Sequence, residues 1–233
     1  MKRNERRFVL VSVLLSSFLT PFMGSAVNIA LPSIGSAFGM DAVDLNWVAT
    51  SFLLASSMFL LPMGKLADLY GRKRVFLIGI VLFTLASLLC GLAGSTAVLL
   101  GGRVLQGIGG AMIFATGIAI LTTVYAPQER GRVLGLSVSA VYLGLTLGPF
   151  IGGALTEHLG WRSIFLALAP PGVAALICAV LCIKDDRLTR EAGAFDLAGA
   201  VMYALSLPLL IFGLSRLPGS GGLLVALGLS GLV

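Results

Sequence analysis

Charge is the scarcest commodity in this sequence. Only 11% of the 233 residues are Asp, Glu, Lys or Arg, against about 25% in an ordinary soluble domain. Histidine occurs once, at His158. Beside Glu157 in a polar stretch, it reads as a solvated loop residue rather than a proton relay. Cysteine occurs three times, at Cys90, Cys178 and Cys182, always inside apolar stretches. Cysteines so scattered make neither a disulfide framework nor a metal site, and read as small packing residues. We find no nucleophile–base pair and no glycine loop followed by lysine, so neither an enzyme nor ATP-driven transport is expected. No cofactor and no metal is called for.

Apolar runs, by contrast, fill the chain. Hydrophobic residues make up 58% of it and the mean hydropathy is +1.02. About 20 apolar residues cross a bilayer as a helix, which allows seven or eight crossings and no soluble domain. The expected fold class is an all-α membrane protein embedded in the lipid bilayer. The N-terminal Met-Lys-Arg-Asn-Glu-Arg-Arg imitates a signal peptide. The apolar stretch from Phe8 to Phe38 that follows is too long for an h-region of roughly 7–15 residues, so it reads as a retained first span.

Residues 64–75, Gly-Lys-Leu-Ala-Asp-Leu-Tyr-Gly-Arg-Lys-Arg-Val, orient everything else. So charged a run does not lie in hydrocarbon and reads as a loop. Its lysines and arginines mark it as cytoplasmic. Gly64 and Gly71 are expected to free the backbone where one helix ends and the next begins. Asp68 is placed to meet the N-terminus of the helix that begins near Arg72. An ordinary positive-inside loop explains the same residues without any special role.

The spans then follow: 9–38, 47–63, 75–93, 98–125, 133–155 and 163–183. Asn28 and Pro32 suggest a break in the first, which a packing kink would equally explain. Pro170 and Pro171 interrupt the sixth early. With this topology Lys2, Arg3, Arg6, Arg7, Lys65, Arg72, Lys73, Arg74, Arg130, Arg132, Lys184, Arg187 and Arg190 share one side, and the N-terminus is cytoplasmic. The net charge of +6 therefore reflects membrane orientation and not a nucleic-acid partner. Residues 1–183 form a six-helix bundle, 184–195 a cytoplasmic linker, and 196–233 a seventh span and the start of an eighth. Residues 223–233 are too few to cross, so a truncated sequence is expected.

Two patterns inside the spans carry chemistry. Arg103 is the one charge within a span, with Gln106 nearly one turn on. A deep arginine costs ~2.5–3.5 kcal/mol or more and implies a partner or a watery cavity, whereas a shallow one snorkels. In span five Gly144, Gly148 and Gly152 form a stripe of small residues, with Pro149 and Gly153 beside it. Such a stripe lets helix backbones approach closely, and Pro149 adds a bend suited to gating.

In order and spacing these stretches resemble the first half of a major facilitator superfamily transporter. Residues 64–75 resemble that family's loop between helices two and three. Residues 103–110 resemble its helix-four motif, residues 144–153 the helix-five motif of antiporters, and residues 28–32 the helix-one motif of drug:proton antiporters. Phe195-Asp196-x-x-Gly199 after a short linker is similar to the fourteen-helix branch. The resemblance implies alternating access, with protons exchanged for a small lipophilic substrate across the cell membrane. It implies a C-terminal half as partner, Arg103 in proton coupling, and Gly64, Asp68, Gly71, Arg72, Gly144, Gly148, Pro149, Gly152 and Gly153 in gating. Asn28, Arg103 and Gln106 are the candidate polar groups of a substrate cavity. Two positions depart from the family pattern: Met23 replaces an acid, and Leu69 an arginine. None of the ten acidic residues falls in the middle of a span. That disfavours cationic drugs and leaves the proton carrier unlocated. A symporter or uniporter for another metabolite, and a non-transporting fragment, are the competing readings.

Overall fold

The computed structural model describes residues 3–183, 197–215 and 227–229. The linker expected at 184–195 and most of the expected eighth span lie outside the described residues. Eight helices are described: α1 (Arg3–Phe38), α2 (Ala42–Tyr70), α3 (Arg72–Gly91), α4 (Thr96–Val124), α5 (Pro127–Leu159), α6 (Arg162–Leu166), α7 (Ala169–Cys182) and α8 (Leu197–Ser215). Among the described residues six crossings are long and apolar enough to span a membrane, with α6 and α7 counted together as one of 21 residues. The break between α6 and α7 lies just before Pro170-Pro171, at the first positions of α7. There a missing N–H costs no helical bond.

Several helices outrun the bilayer. The 29 residues of α2 rise roughly 44 Å against a hydrocarbon core of about 30 Å. This corrects the loop expected at 64–75. The charged residues leave hydrocarbon while the chain is still helical, so Gly64 and Asp68 belong to α2, and only Gly71 separates α2 from α3. Likewise Gln128 to Arg132, expected as loop, begin α5, with Pro127 at its start. Gly71 has φ +103° and ψ 129°, a conformation that side chains on L-residues resist. Gly71→Ala is expected to destabilise the bundle by about 1–3 kcal/mol. A thermal melt in detergent checks this, and an unchanged midpoint would show that the turn relaxes freely.

The break expected at Pro32 is also absent: α1 runs through both Pro21 and Pro32. Neighbouring helices and Ser hydroxyls can re-satisfy the groups that proline frees in a membrane helix.

α4 is the hub. It packs on α2 and α3, while α1 packs on α5 and α7, and α3 joins the two groups through α7. Without a hydrophobic drive between helices in lipid, close van der Waals contact does this work. Glycines make it possible on three sides of α4. A Cβ on Gly107 would lie 2.5 Å from the Phe52 carbonyl of α2. One on Gly109 would lie 2.7 Å from the Phe83 nitrogen of α3, and one on Gly110 2.9 Å from Thr20 of α1. Phe76, Phe83, Ile80, Leu99 and Leu121 fill the space between.

The ends differ in charge. Alternating crossings bring the starts of α1, α3 and α5 to the same end as the finishes of α2 and α4. Arg6, Arg7, Lys65, Arg72, Lys73, Arg74, Arg130 and Arg132 all lie there. At the opposite end Arg162 lies 4.3 Å over the Trp161 ring and donates to the Ala93 carbonyl at 2.9 Å.

Candidate functional site

Arg103 lies in the third turn of α4 and is completely buried. The snorkelling alternative does not describe it, because its side chain turns into the bundle. Nε donates to the Val48 carbonyl of α2 at 2.9 Å, and Nη1 to Gln106 Oε1 at 2.5 Å. The guanidinium carbon stands 4.5 Å from the Phe52 ring centre, a cation–π distance. Gln106 is also completely buried and passes the chain on: its Nε2 donates to Ser87 Oγ of α3 at 2.6 Å. Ser87 Oγ donates in turn to the Phe83 carbonyl at 2.7 Å. One polar relay thus ties α2, α4 and α3 together inside an apolar interior.

Local sequence explains the geometry. The i, i+3 spacing sets Gln106 beside Arg103 on one helix face. Gly102 and Gly107 flank them and bring neighbouring helices within reach. A Cβ on Gly102 would sit 2.6 Å from Cys90 Sγ. What the relay lacks is an anion. Among the described residues, neither the Arg6–Glu129 nor the Arg72–Asp68 ion pair reaches Arg103. Nη2 of Arg103 has no hydrogen-bond partner among them either. All six described acids, Glu5, Asp41, Asp44, Asp68, Glu129 and Glu157, lie in end turns or caps of helices. The charge is therefore held by a carbonyl, an amide and a ring, which fix its position without neutralising it.

The three candidate cavity residues are not gathered into one group. Asn28 is exposed on α1, whereas Arg103 and Gln106 are enclosed by α2, α3 and α4. Met23, at the position where the resembled motif carries an acid, is fully buried in the core.

The charged end has its own geometry. Asp68 does not cap α3, whose first residue follows an N-cap at Gly71 with no side-chain bond. Its Oδ1 instead accepts from Arg72 Nη2 at 3.3 Å, and Arg72 Nη1 also reaches Thr123 Oγ1 of α4 at 3.4 Å. Asp68 and Arg72 thereby link α2, α3 and α4 at one point.

The glycines of α5 face α1. A Cβ on Gly144 would meet the Phe18 carbonyl at 2.5 Å, and one on Gly152 would meet Ala26 Cβ at 2.7 Å. One on Gly148 would collide with Ser25 Oγ. Gly153, off the stripe, has ordinary contact with Ile29 at 3.6 Å. α5 continues through Pro149 as helix. Ser25 Oγ lies 3.1 Å from the Pro21 and Phe22 carbonyls and 3.3 Å from that of Gly144, with one proton to share. Ser25 and Ser87 escape a motif-based reading. Their signal is weak: a hydroxyl in an otherwise apolar run.

Comparison with known proteins agrees with this architecture. The chain is 38% identical to the cephamycin export protein CmcT of Amycolatopsis lactamdurans, over 97% of this chain and 49% of that protein. It is 36% identical to the multidrug resistance protein Stp of Mycobacterium tuberculosis, over 91% of this chain and 40% of that one. It is 29% identical to the riboflavin transporter RibZ of Clostridioides difficile, over 99% of this chain and 50% of that one. The chain thus spans about half, or less, of the length of the curated relatives it matches. A crystal structure of a bacterial homologue of the human lysosomal transporter Spinster superposes with a TM-score of 0.70 at 20% identity. It covers all of this chain and 59% of that one, and shares the fold. The model of the Major Facilitator Superfamily matches residues 13–214. With six membrane-length crossings and that match, the chain belongs to the Major Facilitator Superfamily.

Proposed function

We propose that this chain supplies the N-terminal bundle of a proton-coupled exporter of small lipophilic compounds, working by alternating access. The observation that carries the reading is the buried, unneutralised Arg103. A fixed cation within about 4–6 Å favours the ionised form of a carboxylate. Arg103 is suited to help a proton carrier release its proton once the two meet. None of the described acids lies deep in a span, so the carrier comes from elsewhere in the complete protein. Names such as cephamycin export protein and multidrug resistance protein among the relatives support export over import.

Asp68 and Arg72 then steady the charged end, where α2, α3 and α4 meet, in one state of the cycle. Gly64 and Gly71 let that end move. Gly144, Gly148 and Gly152, with Pro149 and Gly153, form the surface on which α1 and α5 slide. Asn28, exposed on α1, faces the substrate path, and Arg103 and Gln106 act from behind it. The excess of arginine and lysine at one end supports a cytoplasmic N-terminus in a cell-membrane protein. Residues 184–195 act as a linker to an extra helix pair of the fourteen-helix kind, begun by α8.

A second reading, uniport or symport of another metabolite, is favoured by the missing intramembrane acids and by the riboflavin transporter among the relatives. The two separate in cells. The complete protein, expressed in a host stripped of its own exporters, should lower the accumulation of a neutral lipophilic antibiotic. A protonophore should erase that difference. Accumulation raised by the protein, or indifferent to the protonophore, would favour the second reading.

A further inference from the structure

A cavity of about 490 Å³ opens at the charged end between α1 and α5, well away from Arg103. Arg6, Arg7 and Arg132 line it, with Glu129 as the only acid among its lining residues. Glu129 is already paired with Arg6. Arg6 is further committed to Tyr125, whose ring it covers at 4.5 Å and whose hydroxyl donates to the Arg6 carbonyl at 2.8 Å. Burial pushes the Tyr125 hydroxyl above its usual range, so it stays neutral and adds no negative charge. Arg7 and Arg132 are exposed, and neither has an ion-pair or hydrogen-bond partner among the described residues. Two guanidinium groups therefore remain available at one opening.

Gln128 is a further polar lining residue, and Leu10, Val133 and Leu136 supply the apolar side. Leu10 lies about one turn beyond Arg7 along α1 and Leu136 about one turn beyond Arg132 along α5, with Val133 next to Arg132. A charged rim beside an apolar wall, at the ends of membrane-length helices, is the profile of a phospholipid site. Basic pockets between transmembrane helices hold anionic headgroups in this way. Guanidinium groups match a phosphate bidentately. The volume falls within the range of small-ligand sites. We propose that this seam binds the phosphate of an anionic phospholipid, through Arg7 and Arg132, with Arg6 and Glu129 locked together as its wall. The site is independent of the direction of transport. It gives α1 and α5, the two helices joined by the glycine stripe, a common lipid clamp at their charged ends.

The test uses the complete protein in nanodiscs of phosphatidylcholine with increasing phosphatidylglycerol. Lipids retained after mild delipidation are counted by native mass spectrometry. Wild type should retain phosphatidylglycerol over phosphatidylcholine. The double variant Arg7→Gln/Arg132→Gln should lose roughly ten- to thirtyfold of that preference. Arg74→Gln, an exposed arginine at the same end but outside the cavity, should lose none. Equal retention by wild type and the double variant would overturn the proposal. So would an equal loss in Arg74→Gln, which would reduce the effect to general surface charge. Inorganic phosphate at matched ionic strength separates the two sources of the same chemistry. If it displaces the retained lipid at low concentration, the site belongs to a soluble phosphate and the lipid assignment falls.

Discussion

Replacing Arg103 with alanine is expected to abolish proton-driven export while shifting the melting midpoint of the bundle by no more than about 5 °C. Opposing magnitudes set the size of the shift. A buried arginine in a span costs ~2.5–3.5 kcal/mol on insertion scales, and its removal returns that amount. Against this stand the lost bonds to the Val48 carbonyl and Gln106 Oε1. Hydrogen bonds from charged groups contribute about 1.5–3 kcal/mol each. The cation–π contact with Phe52 and the cavity left behind add to the same side. With each bond at the low end of its range the terms come close to cancelling, so stability alone gives little reason to keep the residue. Arg103→Lys should fail almost as badly in transport. A single ammonium does not reproduce a planar fork that serves a carbonyl, an amide and a ring face together. Transport by the alanine variant at the wild-type rate, still coupled to protons, would remove Arg103 from the mechanism. A melting midpoint lowered by well over 5 °C would make it a structural residue.

Gly144→Leu should have the largest effect on folding, a destabilisation of roughly 3 kcal/mol or more. Even a single added carbon there would lie 2.5 Å from the Phe18 carbonyl and 3.0 Å from the Phe22 nitrogen. Both are backbone atoms of α1, and no rotamer change moves them aside. α1 and α5 would have to separate along the whole stripe, since Gly148 and Gly152 make contacts as close. The contrast within the same helix is Gly135→Ala. Nothing lies within 4 Å of a Cβ at that position, and it is helical. Helix propensity alone should stabilise it by up to about 1 kcal/mol. Thermal melts followed by size-exclusion profiles in detergent check both. If Gly144→Leu melts with wild type, the close approach of α1 and α5 is not a feature of the folded protein. If it folds normally yet stops transporting, the stripe serves movement more than packing.

These residues also show which parts of the molecule were legible in advance. The six crossings were, because a membrane span needs a long apolar run and little else. The helix boundaries near Lys65 and Arg130 were not. Charge reports where hydrocarbon ends, whereas a helix ends only where its backbone is broken, and between α2 and α3 that is Gly71 alone. The stripe at Gly144, Gly148 and Gly152 was legible as a packing face, though its partner on α1, from Phe18 to Ala26, was not. Gln106 was legible as the neighbour of Arg103 because both lie on one helix. Val48, Phe52 and Ser87 were not, since they come from α2 and α3 and only tertiary packing brings them in. For the same reason Asn28 was grouped with Arg103 and Gln106 as one set of cavity residues. Sequence identifies polar residues in spans but not the direction they face, and Asn28 is exposed while the other two are enclosed.

The most direct test of the central claim is proton counter-flow driven by substrate. The complete protein, in inside-out vesicles with an imposed acid interior, is given a neutral lipophilic antibiotic while a pH-sensitive dye reports the gradient. Adding the antibiotic should collapse part of the gradient as protons leave and the antibiotic is taken up. The Arg103→Ala protein, folded and present at equal amount, should leave the gradient intact. Uptake of the antibiotic with no proton movement, or proton movement undiminished in Arg103→Ala, would contradict it.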